Sequence, residues 1–513
     1  MKKKITKYLT GISYVVFVFS ACSQGDTSAF DIIYPDPDDN GSQSPGEEDD
    51  DENGPNGPKF PFYAGGGSIA FPGAEGFGKE ATGARVSENR TVCRVTNLNA
   101  SGEGSFAEAI SQENRVIVFD VAGIINMNGG TLVLKSNQTI LGQTAPGDGI
   151  VIYNGRLSSS GAKNLIVRYL RVRLGAAYPS SADTGGAASG NNQIFDHCSF
   201  TWGRDENFSL NRDGKNGGLY NITLQNSIIG QGLQNHSCGG LIQTNLDEGV
   251  TLFRNLYIDN ESRNPKVKGL NQFVNNVVYN WGTGAAYNMG GDSDGDSETT
   301  IENNYFIVGL SEQFKGYGIG TGIVVEYERF SPARPFTGGA GKGDFRSYCV
   351  GNYYDNNKNG VLDGIELTQT NWSQYCSATP IFQSSRKELF PVITSATNAT
   401  RAYEWIVDHV GATLPARDQV DAFLIDELTS LGTKGIIIRN ETLTEQFPLG
   451  GPGHLQSGTP LSDSDGDGIP DFFEDIWGLD KNDPTDAVKI ANNGYMNIEN
   501  YALSLEFPDD YKK

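Results

Sequence analysis

A parallel β-helix, flanked by helices and closed by a small acidic C-terminal segment, is the fold class this sequence predicts, on three observations. Short runs rich in β-branched and aromatic residues fill the chain from about residue 63, as in RVIVFDVAG, TLVLKSNQTILG, NLIVRYLRVRLG and NQIFDHCSF, each broken by Asn, Gly or Asp. One phrase then recurs as ITLQNSIIG at 222, VTLFRNLYID at 250, QFVNNVVYN at 272, TIENNYFIVG at 300 and YCVGNYYDN at 348. Its asparagines, Asn226, Asn255, Asn276, Asn304 and Asn352, are 29, 21, 28 and 48 residues apart. Irregular repeats of about 20 to 30 residues with a polar residue at a fixed place are what stacked turns of a solenoid produce. The asparagines are expected to hydrogen-bond from turn to turn along the interior. A β-sandwich also uses many short strands, but it would show alternating hairpin turns in place of a repeated phrase.

In chain order, MKKKITKYLTGISYVVFVFSAC places Lys2, Lys3, Lys4 and Lys7 ahead of an apolar run, small residues and a cysteine. This reads as an export signal over 1–21. Phe19-Ser20-Ala21-Cys22 has the form of a bacterial lipobox, which would make Cys22 the lipidated first residue. Residues 8–21 fall short of the roughly 20 needed to span a bilayer, so the expectation is a surface or outer-membrane lipoprotein, anchored without crossing. Residues 22–62 carry almost no apolar side chains and read as a disordered tether. The net charge of −23 is uneven, since residues 26–59 hold eleven acids and one lysine. Such acidity excludes nucleic acid as a partner and argues mildly against any polyanion. The remaining cysteines, Cys93, Cys198, Cys238, Cys349 and Cys376, lack paired spacing and read as small buried side chains.

Within TLFRNLYIDNESRNPKVKG, residues 251–269, the cations Arg263, Lys266 and Lys268 surround Asn264 and Pro265. In so acidic a chain this is a candidate anion site; the bland alternative is a solvated cluster at a strand end. The spacing resembles the catalytic segment of the pectate lyases of polysaccharide lyase family one. Four further stretches extend that resemblance over about residues 68–360: GSFAEAI at 104, RVIVFDVAGII, SNQTILG at 136, and Phe195-Asp196-His197-Cys198-Ser199-Phe200, which is similar to the family's Trp-Ile-Asp-His motif. The resemblance implies a right-handed parallel β-helix over 63–455 that cleaves pectate, or homogalacturonan, by β-elimination with Ca²⁺. Arg263 falls where the family has its base, and Lys268, with Lys266 beside it, where a basic residue holds substrate carboxylate.

Calcium needs six to eight oxygen ligands, and the resemblance assigns Asp183 and Asp205 to that role. Ser181 and Ser209 stand where further aspartates are expected, and Glu206 is a candidate to compensate. The family's other substrate-binding lysine is missing from GQGLQNHSCGGLIQ, where His236 is the nearest replacement; a histidine satisfied by polar neighbours is an equal alternative. Asp196 and His197 read as buried, hydrogen-bonded structure. An arginine base demands strong local perturbation, since guanidinium is normally protonated, and an alkaline optimum. A hydrolase would need paired carboxylates; Asp205 and Glu206 are adjacent, and adjacent strand residues point to opposite faces.

Asp292, Asp294 and Asp296 alternate in YNMGGDSDGDSE without a glutamate to complete a calcium loop, so a solvated loop bordering the groove is expected. Tyr403, Ile406, Val407 and Val410, then Val420, Phe423, Leu424 and Leu428, have helical spacing and should flank the solenoid. Over 456–513, Asp463, Asp465, Asp467 and Glu474 fit D-x-D-x-D-G-x5-E. Asp471 would approach through water and Ile469 would offer its carbonyl. The segment resembles the calcium loops of dockerins and thrombospondin-type repeats, here attached to what resembles a Bacteroidetes-type lipoprotein pectate lyase. The reading is an exported, monomeric, calcium-dependent pectate lyase. A β-helix hydrolase and a non-catalytic carbohydrate-binding lipoprotein are the alternatives, the first distinguished by products without a double bond and the second by intact polymer.

Overall fold

The computed structural model describes residues 58–234, 236–282, 285–310 and 333–513, with the backbone of two short strands at 315–317 and 324–326. The export segment, Cys22 and nearly all of the acidic tether lie outside the described residues. Gly57–Lys513 forms one compact unit. No helix among the described residues is long and apolar enough to cross a membrane.

Three parallel sheets wrap one another, and the central turns of chain contribute a strand to each. The first runs from Thr91–Val95 through Gly190–Asp196, Leu219–Gln225 and Gly249–Phe253 to Phe345–Val350, every neighbour parallel. The second includes Arg171–Arg173, Ser199–Thr201, Ile228–Gly230, Leu256–Ile258 and Val277–Tyr279. The third includes Gly185–Ala187, Phe208–Asn211, Leu241–Gln243, the start of Lys266–Val274, and Ala285–Met289. Because register is kept, like positions stack: Ile117, Ile140, Val167, Phe195, Leu224, Leu252, Phe273 and Ile301 are consecutive partners and all buried. This continuous apolar column supplies the core that no single turn could bury.

The asparagine ladder is present with a shift at one end. Asn255, Asn276, Asn304 and Asn352 bond in sequence, each Oδ1 accepting from the backbone N–H and Nδ2 of its predecessor. Asn226 is not a member. Its neighbour Ser227 occupies the ladder, with N–H donating to Asn255 Oδ1 at 3.0 Å. Asn226 instead lies one place earlier, in a column of left-handed corner residues with His197, Arg254, Asn275 and Asn303, at φ from 49° to 56°. Asparagine tolerates that conformation, so Asn226 serves the corner, whereas Asn255, preceded by Arg254 at the corner, reaches the ladder. An outer ladder of Asn137, Asn164, Asn192 and Asn221 runs between the third and first sheets and was not apparent from the repeats.

The expected helices form as Ala399–His409 and Gln419–Thr429, capped by Asn398 and Asp418. They cover the outer side of the second sheet, Tyr403, Ile406, Leu424 and Leu428 meeting Ile228, Leu256, Val277 and Ile307. Arg173, fully buried, fastens them through Asp418 and Asp421 at 2.8 and 3.0 Å. Helices Asp471–Trp477 and Asn497–Glu506 pack outside the first sheet, against Val116, Val118, Leu141 and Ile166.

Candidate active site

The loops joining the second sheet to the third stack above one another along one edge. Their backbones bond from turn to turn: Thr184 N–H to Glu206 O at 3.0 Å, Cys238 N–H to Asp205 O at 2.8 Å, Gly240 N–H to Arg263 O at 2.8 Å, and Asn264 N–H to Ala286 O at 2.7 Å. A Cβ on Gly239 would sit 2.6 Å from the Arg263 carbonyl oxygen, so only glycine admits this close approach. Regular stacking thus brings residues from separate turns, Asp183, Asp205, Glu206, His236 and Arg263, to one place.

Asp183, Asp205 and Glu206 converge, with one carboxylate oxygen of each within 4.8 Å of the others. The expectation that Asp205 and Glu206 point apart fails because 202–207 forms no strand, Glu206 making only an isolated bridge with Cys238. Glu206 is almost fully buried, and its N–H donates to Asp183 Oδ1 at 3.2 Å. Burial, with Asp183 and Asp205 nearby, pushes its carboxyl up to about 9; burial likewise raises Asp183. Three hard oxygen donors that resist sharing their negative charge suit a calcium ion. Ser181 and Ser209 take no part, their hydroxyls bonding Arg204 O at 2.7 Å and Leu241 N–H at 3.2 Å.

Arg263 donates from Nη1 to Glu206 Oε1. Burial works against its charge, but Cys238, Glu206 and Asp292 outweigh burial and hold the guanidinium above its ordinary value. The perturbation towards deprotonation expected of a base is therefore not built into the resting site. Lys266 and Lys268 lie inside strand Lys266–Val274, where alternation turns both to the same side. Lys266 Nζ pairs with Asp292, and Lys268 Nζ donates to Asp213 Oδ1 at 2.8 Å and Ser293 Oγ at 2.7 Å. The 290–296 loop is thus anchored on these cations. Asp294 and Asp296 accept from the N–H groups of Lys342 and Asp344, both at 2.9 Å, and do not converge. His236 is largely exposed, with Nε2 3.4 Å from Asp205 Oδ1.

Sequence reasoning left Glu206 among possible compensators and gave no place to Asp213. Adjacency to Asp205 in a Gly-Arg-Asp-Glu loop was the available signal for the first; none marked the second. Asp196 and His197 sit at a different corner, between the first and second sheets. Asp196 is wholly buried, accepting from Arg168 Nε at 2.8 Å, Gln225 Nε2 at 2.9 Å and Asn226 Nδ2 at 2.7 Å, while His197 stacks on Tyr169. Burial would raise the Asp196 carboxyl, but His197 and Arg168 hold it well below the usual range.

In the C-terminal segment Asp463, Asp465 and Asp467 form one cluster and Asp467, Glu474 and Asp486 another. Asp471 turns away, accepting from Ser462 Oγ and from Ser464 N–H at 2.6 and 2.7 Å.

No family model matches the chain. It is 46% identical over 437 residues to a probable pectate lyase C of Neosartorya fischeri, covering 85% of this chain and 94% of that protein. A probable pectate lyase C of Aspergillus oryzae is 44% identical over 445 residues, 86% and 95% of the two chains. Among solved structures, a thermostable pectate lyase matches with TM-score 0.46 at 14% identity, over 67% of this chain and 98% of that one. A pectate lyase from Acidovorax avenae subsp citrulli gives 0.45 at 13% identity, over 72% and 100%.

Proposed function

From its membership of the pectate lyase family, to which this chain belongs, we propose that it cleaves α-1,4-linked polygalacturonate by calcium-dependent β-elimination at the loop edge around Arg263. The observation that carries this is the juxtaposition of the Asp183–Asp205–Glu206 cluster with Arg263, Lys266 and Lys268. The three carboxylates are the groups that would hold calcium, which when bound neutralises a C6 carboxylate and acidifies the C5 hydrogen beside it. Lys266 and Lys268 bind substrate carboxylates by exchanging their present partners Asp292 and Asp213. Arg263 is placed against C5. To accept its proton the guanidinium must first separate from Glu206 and give up its own proton to solvent hydroxide. The C5–H electron pair then forms the C4=C5 double bond, the C4–O bond breaks, and the departing oxygen takes a proton from water. His236, beside Asp205, lines the entrance and contacts substrate.

We read Asp463–Glu474 as a second, non-catalytic calcium loop and residues 1–21 as an export signal that leaves a lipid on Cys22. The lyase reading is tested by ultraviolet absorbance of polygalacturonate incubated with the protein in calcium or in EDTA. A calcium-dependent rise is expected. New reducing ends without absorbance would mean hydrolysis, and neither signal would leave a binding protein.

A further inference from the structure

We propose that Asp486, from outside the twelve-residue loop, joins Asp463, Asp465, Asp467 and Glu474 in holding a calcium ion that clamps the C-terminal segment onto the first turns of the β-helix. The inference extends the second-calcium reading and is independent of the lyase chemistry.

Backbone N–H groups occupy one oxygen of most of these carboxylates and leave the other open. Asp467 Oδ1 accepts from Ile469 N–H at 2.8 Å, Asp465 Oδ1 from Asp467 N–H at 3.2 Å, and Asp486 Oδ2 from Asp480 N–H at 3.0 Å. Asp467 Oδ2, Asp465 Oδ2 and Asp486 Oδ1 are buried without a hydrogen-bond partner, as are both oxygens of Glu474. Glu474 itself has no solvent exposure, and Asp467 and Asp486 are nearly as buried. Buried carboxylate oxygens without partners are costly. Converging from two overlapping clusters, they offer the all-oxygen, multi-carboxylate environment that calcium takes.

The loop is also a fastening point. Asp463 Oδ2 lies 3.4 Å from Arg94 Nη1 on the first strand of the solenoid, and Gly468 lies against Val92 and Val118. Beyond it, Phe473, Trp477 and Tyr511 close over Phe60, Asn492 and Asn493 bond the backbone of Phe60 and Pro61, and Glu499 pairs with Arg85. The loop thus lies where the C-terminal segment meets both the entry strand and the first sheet. Asp486 precedes Asn497 in this path, its carbonyl accepting from Asn497 Nδ2 at 2.8 Å, so a cation held by Asp486 couples both C-terminal helices.

The test is thermal unfolding and limited proteolysis of the full chain, titrated with calcium chloride from an EGTA-treated start, for wild type, Asp486→Asn and Asp183→Asn. Wild type should gain a few degrees in Tm with calcium, about 2–5 °C. Asp486→Asn should need about tenfold more calcium for the same gain while keeping wild-type kcat at saturating calcium. Asp183→Asn should lose activity and keep the calcium-dependent gain. If Asp486→Asn does not fold, equilibrium dialysis of wild type against Asp183→Asn decides: one calcium remaining in the variant supports the clamp, and none overturns it. An Asp486→Asn titration matching wild type, or a wild-type Tm indifferent to calcium, also overturns it. Absence of lyase activity in wild type leaves these readouts untouched and counts against the catalytic reading alone.

Discussion

Arg263→Ala separates a catalytic role from a structural one, because the structure bounds its cost to folding. The variant strips Glu206, 2% exposed, of its cation. A buried carboxylate left charged and unpaired would cost about 3–5 kcal/mol. In the variant, however, burial and the acidic neighbours Asp183 and Asp205 push the Glu206 carboxyl up with no guanidinium to oppose them, so in calcium-free solution it takes a proton once Arg263 is gone. The cost then falls to that of a lost hydrogen bond, about 1–2 kcal/mol. Set against a typical 5–15 kcal/mol of stability, at least about 99% of the molecules stay folded. Loss of the group that receives the C5 proton should lower kcat by about 10³, near 4 kcal/mol. Unfolding cannot account for a loss of that size. The assay is the initial rate of ultraviolet absorbance at saturating calcium, with Tm measured in parallel. Arg263→Lys sharpens it. Lysine ordinarily titrates near 10.4, about two pH units below arginine, so if residue 263 is the base the alkaline rise of kcat/KM should move to lower pH. Arg263→Ala retaining more than about a tenth of wild-type kcat would refute the base assignment, and an unmoved profile in an active Arg263→Lys would recast the side chain as an electrostatic stabiliser.

Other expectations follow from the same geometry. Asp292→Asn removes the half-exposed anion on Lys266, so KM for polygalacturonate should fall about two- to fivefold with kcat unchanged; a raised KM would mean that Asp292 positions the lysine and does not compete for it. Asn276→Ala deletes Nδ2 bonds to Leu252 O and Val274 O at 2.9 and 3.1 Å and the Oδ1 partner of Asn255, costing about 2–4 kcal/mol in denaturant unfolding; a loss under about 0.5 kcal/mol would show that the ladder is dispensable. Asp259 is fully buried beside Glu427, and burial raises its carboxyl from 3.8 to about 6 against the opposing bonds from Glu427 and Asn280. A raised acid holds its proton more tightly when folded. Its contribution is intact below about pH 4 and is lost as pH climbs to about 6, some 3 kcal/mol in all. Asp259→Asn should flatten that part of the stability profile, and an identical slope in the variant would refute the assignment.

The solenoid was legible because its signal is periodic: each turn repeats an apolar residue at the stacking position and a polar one at the corner. What sequence spacing could not deliver was phase. Asn226 and Asn255 look alike in their phrases, yet one fills a left-handed corner and the other the ladder. The choice depends on whether the next residue can itself accept the neighbouring bond, as Ser227 Oγ does from Cys198 N–H at 3.0 Å. The candidate site was legible through Asp183, Asp205 and Arg263, which the sequence singled out by resemblance and which the fold brings to one place. Glu206 was obscured by applying strand alternation to a loop, and Asp486 because it lies outside the twelve-residue motif that contains the carboxylates clustered with it. Both are contacts set by stacking of distant segments, for which local spacing holds no information.

The same stacking resolves the tension between an acidic chain and a polyanionic substrate. Net charge counts residues wherever they lie, whereas on the proposed reading substrate meets only the loop edge and the third sheet beside it. There, Arg263 is paired with Glu206, Lys266 with Asp292 and Lys268 with Asp213. Lys266 and Lys268 are 7% and 4% exposed and each is neutralised by its carboxylate partner, so neither presents a free charge to solvent. Under the proposed function, binding of a uronate polymer is an exchange of one carboxylate for another at each lysine, and little net charge moves. Exchange of this kind favours a substrate that presents several carboxylates at fixed spacing over a free monocarboxylate, because only the former can displace Asp292 and Asp213 together. Acetate at high concentration should therefore inhibit weakly. Short oligogalacturonates should compete far better than their total carboxylate concentration predicts, and equal inhibition per carboxylate would show that the two lysines act separately.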